Sequence, residues 1–381
     1  MISLPPDIIE QLKQTQQNPR YHAEGNVYNH TLMVLEHAEE YCAKNSVSLE
    51  EEKVLKWGAL LHDLGKIEVT KWHNGKWSAR GHERAGVSWA RNILLQQTDI
   101  SLSERQKILA ITRWHHLPLR WITGEITYEE LHNWASQTDL ALIGKFAFFD
   151  FKGRLCEDKA QLLYRGQEFV DEIVPEMLQS IGSFEQAQAA YSSKSLPHKR
   201  ACWNAYKMQN IDCWQKLLQK PSPEYKTAAF KAILSIGTPK SGKSKYLTDK
   251  YPDSLHISLA KWEMDGTLPS DPFNRQRILT AFKYHISVYS RHHAHLILDG
   301  NNLDTDARQM VAEIIRELNG HLTYLIFERT LAENLALNEK SEKPLPESDI
   351  ILAYRNFHYP HPWEADECQW AENEQTTLQI F

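Results

Sequence analysis

The sequence predicts two unlike domains in series, an all-helical bundle followed by an α/β domain with a parallel sheet. Three observations carry this prediction. The chain is 381 residues long, beyond the ~100–200 residues usual for one domain. Across the first 175 residues apolar positions recur at helical spacing, with His and Asp set among them. Ahead of Gly237 a β-rich run, AFKAILSI, leads into GTPKSGKS and then SKYLTDKY, a strand–loop–helix order that opens an α/β unit. The expected boundaries are 1–175 for the bundle, 176–224 for a helical extension and linker, and 225–381 for the α/β domain.

Composition narrows the function. The net charge is −6, which argues against a basic face for long duplex DNA but leaves room for a short single-stranded end. Twelve Trp and fifteen Tyr can stack on exposed bases, although filling helical cores is the ordinary use of such residues. Five cysteines (Cys42, Cys156, Cys202, Cys213, Cys368) without a CxxC pair read as reduced thiols. The N-terminus has no basic region followed by an apolar run, and no stretch approaches 18 apolar residues. A cytoplasmic protein without a membrane partner is expected.

The bundle is organised around ALLHDLGK, residues 59–66. An imidazole and a carboxylate side by side in an apolar helical run are costly to bury, about 2–7 kcal/mol for a neutral polar group and more for a charge. A divalent cation removes that cost by taking both as ligands; a surface-facing dipeptide is the bland alternative. The surrounding elements repeat the pattern. His30 falls in the first turn of a helix that Asn29 or Thr31 caps, with Leu32, Leu35, Ala38, Tyr41 and Cys42 as its apolar face. The helix carrying His62 and Asp63 ends at Gly65-Lys66, and KWHNGKWS follows as a hairpin with an Asn-Gly turn. GHERAG opens a helix at His82. SERQKILAITRWHH, with Ser103 as N-cap and Gln106 at N3, ends on His115-His116. IGKFAFFDFKGR sets Asp150 late in an apolar helix. Helices around a common centre could aim His30, His62, Asp63, His82, His115 and Asp150 inward. A lone histidine on such a face is usually a hydrogen-bonded core residue, but six such residues in this order are not so readily explained.

The order H…HD…H…H…D is similar to that of the HD-domain metal-dependent phosphohydrolases. GNVYNHTLMVLEH, ALLHDLGK, GHERAG and ITRWHH resemble the HD module of bacterial tRNA nucleotidyltransferases over residues 20–170. The resemblance implies that His30, His62, Asp63 and Asp150 hold one metal and that His82 and His115 add a second sharing Asp63. The metals would be Mn, Co, Ni, Fe or Zn. A two-metal centre activates a water and clamps the oxygens of an in-line displacement at phosphorus. Lys66 is placed to neutralise charge on a phosphate oxygen, a solvated helix-end lysine being the alternative. His116 and His22 could protonate a leaving oxygen.

In the extension, Lys199, Arg200, Trp203, Tyr206, Lys207 and Trp214 form a basic–aromatic set, and Lys220–Pro223 reads as a linker. In the α/β domain, Gly237-Thr238-Pro239-Lys240-Ser241-Gly242-Lys243-Ser244 matches GxxxxGK[ST]. In that motif backbone N–H groups wrap the phosphates of ATP or GTP, the lysine (Lys243) adds a point charge, and the hydroxyl (Ser244) meets Mg²⁺. Further strands are expected at 254–259, 293–300 and 321–327. Asp299, at the end of the 293–300 strand, is placed to meet Mg²⁺ or its water.

This order, with LDGNNL and a segment containing PLPE, resembles the polynucleotide 5′-kinase family, and the whole chain resembles bacterial HD–polynucleotide kinase RNA end-healing enzymes. The resemblance implies an all-α HD-domain bundle followed by an α/β P-loop kinase domain. The first would strip 2′,3′-cyclic, 3′- or 2′-phosphates from broken RNA. The second would phosphorylate the 5′-OH from an NTP, leaving sealing to a separate RNA ligase. The sequence departs from that family where a base and an arginine are expected, at Ala260 and Glu263, with Asp265 or Glu263 as the substitutes in reach. The lid stretch, 336–346, has only Lys340 and Lys343 as basic residues. These departures remove proton transfer and charge neutralisation, so phosphate binding is expected to outlast transfer. The alternative is an HD nucleotide phosphohydrolase regulated by a catalytically weak NTP-binding domain.

Overall fold

The structure, a computed structural model, describes residues 3–135, 138–181, 228–262, 272–360 and 364–371. It divides into two compact units, Met1–Gln186 and Ala187–Phe381. The extension expected beyond Ile181, including Lys199, Arg200, Trp203, Tyr206, Lys207, Trp214 and the linker Lys220–Pro223, lies outside the described residues, as do Glu263 and Asp265. Among the described residues no helix is long and apolar enough to cross a membrane.

The first unit contains helices α1 (Pro6–Gln14), α2 (Val27–Asn45), α3 (Leu49–Leu61), α4 (Lys66–Val69), α5 (His82–Leu94), α6 (Leu102–Trp114), α7 (Leu117–Ile122), α8 (Tyr128–Ala135), α9 (Leu140–Gly153), α10 (Lys159–Glu168) and α11 (Val174–Ile181). It is not purely helical. The predicted hairpin is present as β1 (Lys71–His73) and β2 (Lys76–Ser78), turning at Asn74 and Gly75, both with positive φ.

Helix α3 is buried almost all round, through Val54, Leu55, Trp57, Ala59, Leu60 and Leu61. It packs on α2, α6 and α9, the last buried from Leu140 to Phe151 along most of its faces. Three local expectations are corrected. Asn26 caps α2, its Oδ1 accepting from Asn29 N at 2.9 Å; neither Asn29 nor Thr31 is the cap. Gly25, at φ +100°, turns the chain so that Asn26 enters the helix extended. The buried stripe of α2 is Val27, His30, Thr31, Val34, Ala38 and Cys42, whereas Leu32 is 42% exposed. The helix is rotated so that His30 faces inward. Ser101, not Ser103, caps α6, because Glu104 completes the reciprocal box by accepting from Ser101 N at 2.6 Å.

Helix α3 ends at Leu61, earlier than Gly65-Lys66, and His62–Gly65 form a tight turn into α4. Gly65 is where that turn meets α5: a Cβ there would lie 2.0 Å from His82 O and 2.4 Å from Gly86 N. This close approach brings His62 and Asp63 up to His82.

The second unit has a five-stranded parallel sheet: β3 (Phe230–Gly237), β4 (Leu255–Ser258), β5 (His295–Asp299), β6 (Gly320–Phe327) and β7 (Glu367–Trp370), in the spatial order β4-β5-β3-β6-β7. The expected strands are present. The short edge strand β7, without a β-branched run, is the one the sequence did not predict. Its helices are α12 (Lys243–Lys250), α13 (Pro272–His292), α14 (Thr305–Glu317), α15 (Leu331–Glu339) and α16 (Glu347–Arg355). From β3 the chain goes first to β4 and β5 on one side and then to β6 and β7 on the other. The carboxyl end of β3 is therefore the switch point where open α/β sheets bind ligands. A fully buried ion pair, Arg308 Nε to Glu364 Oε2 at 2.7 Å, ties α14 to the segment before β7.

Gly65→Ala is expected to destabilise the first unit by ~1–3 kcal/mol, the usual cost of overpacking, seen as a lowered urea midpoint by circular dichroism. An unchanged midpoint would contradict the close approach.

Candidate functional site

The predicted His and Asp residues converge in the first unit. His30 (α2), His62 and Asp63 (the turn after α3), His82 (first residue of α5), His115 (end of α6) and Asp150 (α9) are all buried. Asp63 sits between two sets of imidazoles. Its Oδ2 lies 3.3 Å from His62 Nε2 and 3.7 Å from His30 Nε2; its Oδ1 lies 3.2 Å from His82 Nε2 and 3.7 Å from His115 Nε2. His30 Nε2 is also 2.9 Å from Asp150 Oδ1.

Backbone carbonyls fix the rings. Nδ1 lies within hydrogen-bonding distance of Ala59 O for His62 (2.9 Å), Ala79 O for His82 (2.9 Å), Thr112 O for His115 (3.1 Å) and Gly153 O for His30 (3.3 Å). Since a carbonyl only accepts, each Nδ1 donates to it, and Nε2 of His62, His82 and His115 is left to present a lone pair. His62 Nε2 and Asp63 Oδ1 have no hydrogen-bond partner although buried, while Asp63 Oδ2 meets the Lys66 ammonium and His30 Nε2 faces Asp150 Oδ1. His82 and His115 bring their Nε2 atoms within 3.3 Å of each other. Buried lone pairs facing one another and a carboxylate are unstable without a cation between them. Nitrogen and carboxylate oxygen are the donors that divalent transition metals accept, so the residues present fit such an ion. Three groupings could hold one: His30/His62/Asp150, His82/His115/His116 and His22/Glu24/His30.

The electrostatics agree. Burial pushes the Asp63 carboxyl up, but Lys66 and His62 outweigh it and hold it well below the usual carboxylate range. Asp150 is likewise held low against burial, first by Arg154 and then by His30. Burial lowers His30, yet hydrogen bonds to Asp150 and Glu24 raise it overall, so the surroundings of His30 favour a positive charge. Burial and the neighbouring imidazoles of His116, His62 and His82 push His115 well below the ordinary range.

Lys66 is not a solvated helix-end lysine. It is buried, 2.7 Å from Asp63 Oδ2, and donates to Gln17 Oε1 at 2.7 Å. His116 has its Nδ1 3.2 Å from Glu83 Oε1, and burial takes its pKa down to about 4. His22 pairs with Glu24 at 2.7 Å, and burial with Lys66 takes its pKa down to about 3. Both rings are therefore neutral at pH 7 and carry no spare proton there for a leaving oxygen, contrary to the expectation from sequence. Sequence reasoning missed the supporting residues. Glu24 stands 2.7 and 3.1 Å from Nδ1 of His22 and His30 and accepts from Leu155 N at 2.9 Å. Arg154 Nη2 donates to Asp150 Oδ2 at 2.6 Å, and Gln17 and Glu83 act as described. The i,i+4 spacing of Asp150 and Arg154 was the available signal; the pairing of Gln17 with Lys66 left none.

In the second unit the loop after β3 folds around Lys243, whose Nζ donates to Gly237 O at 2.8 Å, Thr238 O at 2.7 Å and Asn301 Oδ1 at 3.0 Å. Gly242 takes φ +89° and Lys240 +63°, and Thr238 and Ser241 are buried. A Cβ on Gly237 would lie 2.8 Å from Phe327 O, so only glycine lets β3 and β6 run together here. Ser244 Oγ donates to Asp299 Oδ2 at 2.5 Å. Pro239 lies in the turn between Thr238 and Lys240. Lys340 and Lys343 are exposed, and it is the Lys343 carbonyl that accepts from Lys240 Nζ, at 2.8 Å. Arg329, which sequence reasoning passed over, donates from Nε to Ser241 O at 2.8 Å. Ala260 is exposed in a 3-10 turn just past β4.

Residues 27–147 match the family model described as HD domain, a span containing His30, His62, Asp63, His82 and His115, with Asp150 just beyond it. The chain is also similar to a protein of Halorhodospira halophila (strain DSM 244 / SL1) named "Multifunctional CCA protein". The two are 35% identical over 103 residues, 26% of this chain and 21% of that protein. The chain thus spans about a fifth of the length of that curated relative (21%). The first unit therefore contains an HD domain, the type of metal-dependent phosphohydrolases, and the second is an α/β region with a parallel sheet.

Asp63→Asn is expected to lower the divalent metal bound by the protein, measured by elemental analysis after dialysis against Mn or Zn, by at least about half, because this carboxylate serves both imidazole sets. Equal metal content in both proteins would contradict the shared role.

Proposed function

We propose that this chain is an RNA end-processing enzyme in which the HD centre hydrolyses terminal phosphoesters and the loop of the second unit binds an NTP. The observation that carries the first part is the pair of imidazole sets around one buried carboxylate. His30, His62, Asp63 and Asp150 would hold one ion, and His82 and His115 the second. When bound, the ions supply an activated water and Lewis-acid neutralisation at phosphorus. The chain's own groups do the rest. Lys66, anchored by Asp63 and Gln17, keeps an ammonium proton for a phosphate oxygen at the mouth of the site, where it lines the cleft. His116, held by Glu83, presents the other ring nitrogen as an acceptor for a sugar hydroxyl. Arg154 fixes Asp150 and Glu24 fixes His30, so both stay aligned without help from solvent. The terminal group would be a 2′,3′-cyclic, 3′- or 2′-phosphate.

In the second unit, the Gly237–Ser244 loop sits at the switch point with Lys243, Ser244 and Asp299 gathered around it, an arrangement suited to an NTP phosphate tail with Mg²⁺. Arg329 already lies against the loop, so the loop has a guanidinium in reach despite a lid with only Lys340 and Lys343. The methyl group of Ala260 can take no proton from a 5′-OH. This favours a second reading, in which the bound NTP regulates the HD site and transfer to 5′-OH RNA is feeble.

A 2′,3′-cyclic-phosphate RNA is expected to be opened and dephosphorylated with Mn, Co or Ni, and His62→Ala to lower the rate by more than about a hundredfold, as loss of a ligand to a metal nucleophile site should. No release from any of the three end types would overturn the hydrolase reading. Calorimetry is expected to show ATP or GTP binding that Lys243→Ala abolishes. Labelled phosphate should pass to 5′-OH RNA only weakly, and faster after Ala260→Asp. Efficient transfer by the native chain would exclude the regulatory reading.

A further inference from the structure

The metal centre opens into a cleft of about 960 Å³ whose walls are unlike the rest of this acidic chain. Six basic side chains line it against two carboxylates, Glu83 and Glu125. Both carboxylates are engaged, Glu83 with His116 at 3.2 Å and Glu125 with Arg120 at 3.9 Å. Arg84, on α5, and Arg113, on α6, have no carboxylate within ion-pairing distance among the described residues, and Arg84 is exposed. Burial and then the charge of Arg84 depress the Arg113 pKa, Glu83 opposes them and Arg120 adds to them, and the result is about 10. Guanidiniums gathered in excess of the neighbouring carboxylates repel one another, and a bound phosphodiester relieves that repulsion.

Aromatic rings stand beside them. The Arg113 guanidinium carbon sits 4.2 Å from the Trp114 ring centre, and Trp114 meets Trp134, on α8, at 4.5 Å with the planes tilted by 57°. Both tryptophans and Trp77 of the hairpin are half-buried and face the cleft, leaving ring surface open. At its inner end the same cleft is lined by Lys66, His82 and His116. Cations and stacking platforms side by side are what a single strand requires, since every nucleotide offers one charge and one flat face.

We propose that Arg84, Arg113, Trp114 and Trp134 form a subsite for the nucleotides preceding the terminal phosphoester, making the HD centre selective for the end of a single-stranded polynucleotide over a free mononucleotide. The proposal rests on the hydrolase reading above and names what that reading leaves open, the residues that grip the strand. The guanidiniums hold the first internal phosphodiesters, and the Trp114–Trp134 pair stacks the adjoining base. Arg120 is already partnered by Glu125 and contributes less.

The test uses the full-length protein and two probes, a ten-nucleotide single-stranded RNA ending in a 2′,3′-cyclic phosphate with a 5′ fluorophore, and a nucleoside 2′,3′-cyclic monophosphate. Native protein is expected to favour the oligonucleotide in kcat/KM by at least about tenfold, a modest return for one base stack and its phosphate. Arg84→Ala and Trp134→Ala should each shrink that ratio severalfold. In fluorescence anisotropy both should weaken oligonucleotide binding, and Arg84→Ala alone should reduce the slope of log affinity against log salt by about 0.7, the value for one single-strand phosphate contact. Arg165→Ala, on α10, removes an arginine outside the cleft and should leave affinity and slope unchanged. Equal kcat/KM for both probes, or a salt slope indifferent to Arg84, would overturn the subsite. If neither probe is turned over, the hydrolase reading fails, and anisotropy with the same variants still decides whether the cleft binds a strand.

Discussion

The first unit depends on one carboxylate. Asp63 is buried, ionised, and shared between His62 and His30 on one oxygen and His82 and His115 on the other. A buried charge is tolerable only when opposite charge reaches it. Lys66 supplies some of that charge, but it touches only one of the two oxygens. His62, His82 and His115, whose Nδ1 protons are held by backbone carbonyls, have lone pairs to offer. The helices deliver polar groups that satisfy one another only in part, and a divalent cation would resolve the conflict. Much of the local architecture serves that convergence: the tight turn at His62–Gly65, the glycine contact with α5, and the rotation of α2 that turns His30 inward and leaves Leu32 outside.

The second unit is built around a loop and not around buried side chains. Its cradle is built from backbone, at the end of a central strand where chain direction across the sheet reverses. Lys243 is folded onto two loop carbonyls and Asn301, so the lysine itself braces the loop. Asp299 is braced by Ser235 Oγ at 3.1 Å as well as by Ser244. The cradle is thus preorganised by short contacts within one strand–loop–helix unit and its neighbour β5. Ala260, just past β4, offers no group that could take a proton.

Much of this was legible in the sequence, for identifiable reasons. His30, His62, Asp63, His82, His115 and Asp150 stood out because polar residues in apolar helical runs demand an explanation, and the Gly237–Ser244 loop because its glycines and lysine occupy fixed offsets between a strand and a helix. What escaped notice was held by long-range packing. The strand β7 lacks β-branched residues and owes its place to its pairing with β6 and to the Arg308–Glu364 pair beside it. The support of Lys66 comes from Gln17, 49 residues away, and Arg329 meets the loop only through the sheet. Helix caps were displaced by a few residues where two Ser/Asn candidates competed and hydrogen-bond geometry chose between them. The cleft was illegible because its cations and rings come from several separate elements and show no pattern in the chain.

The most direct test of the central claim is anomalous scattering from crystals grown with manganese or zinc. The account predicts anomalous density at the buried pocket, within coordination distance of Asp63 and of His30 and His62, with a further peak between Asp63, His82 and His115. Density confined to surface residues, or a pocket with ordered water and no anomalous signal at saturating metal, would contradict it.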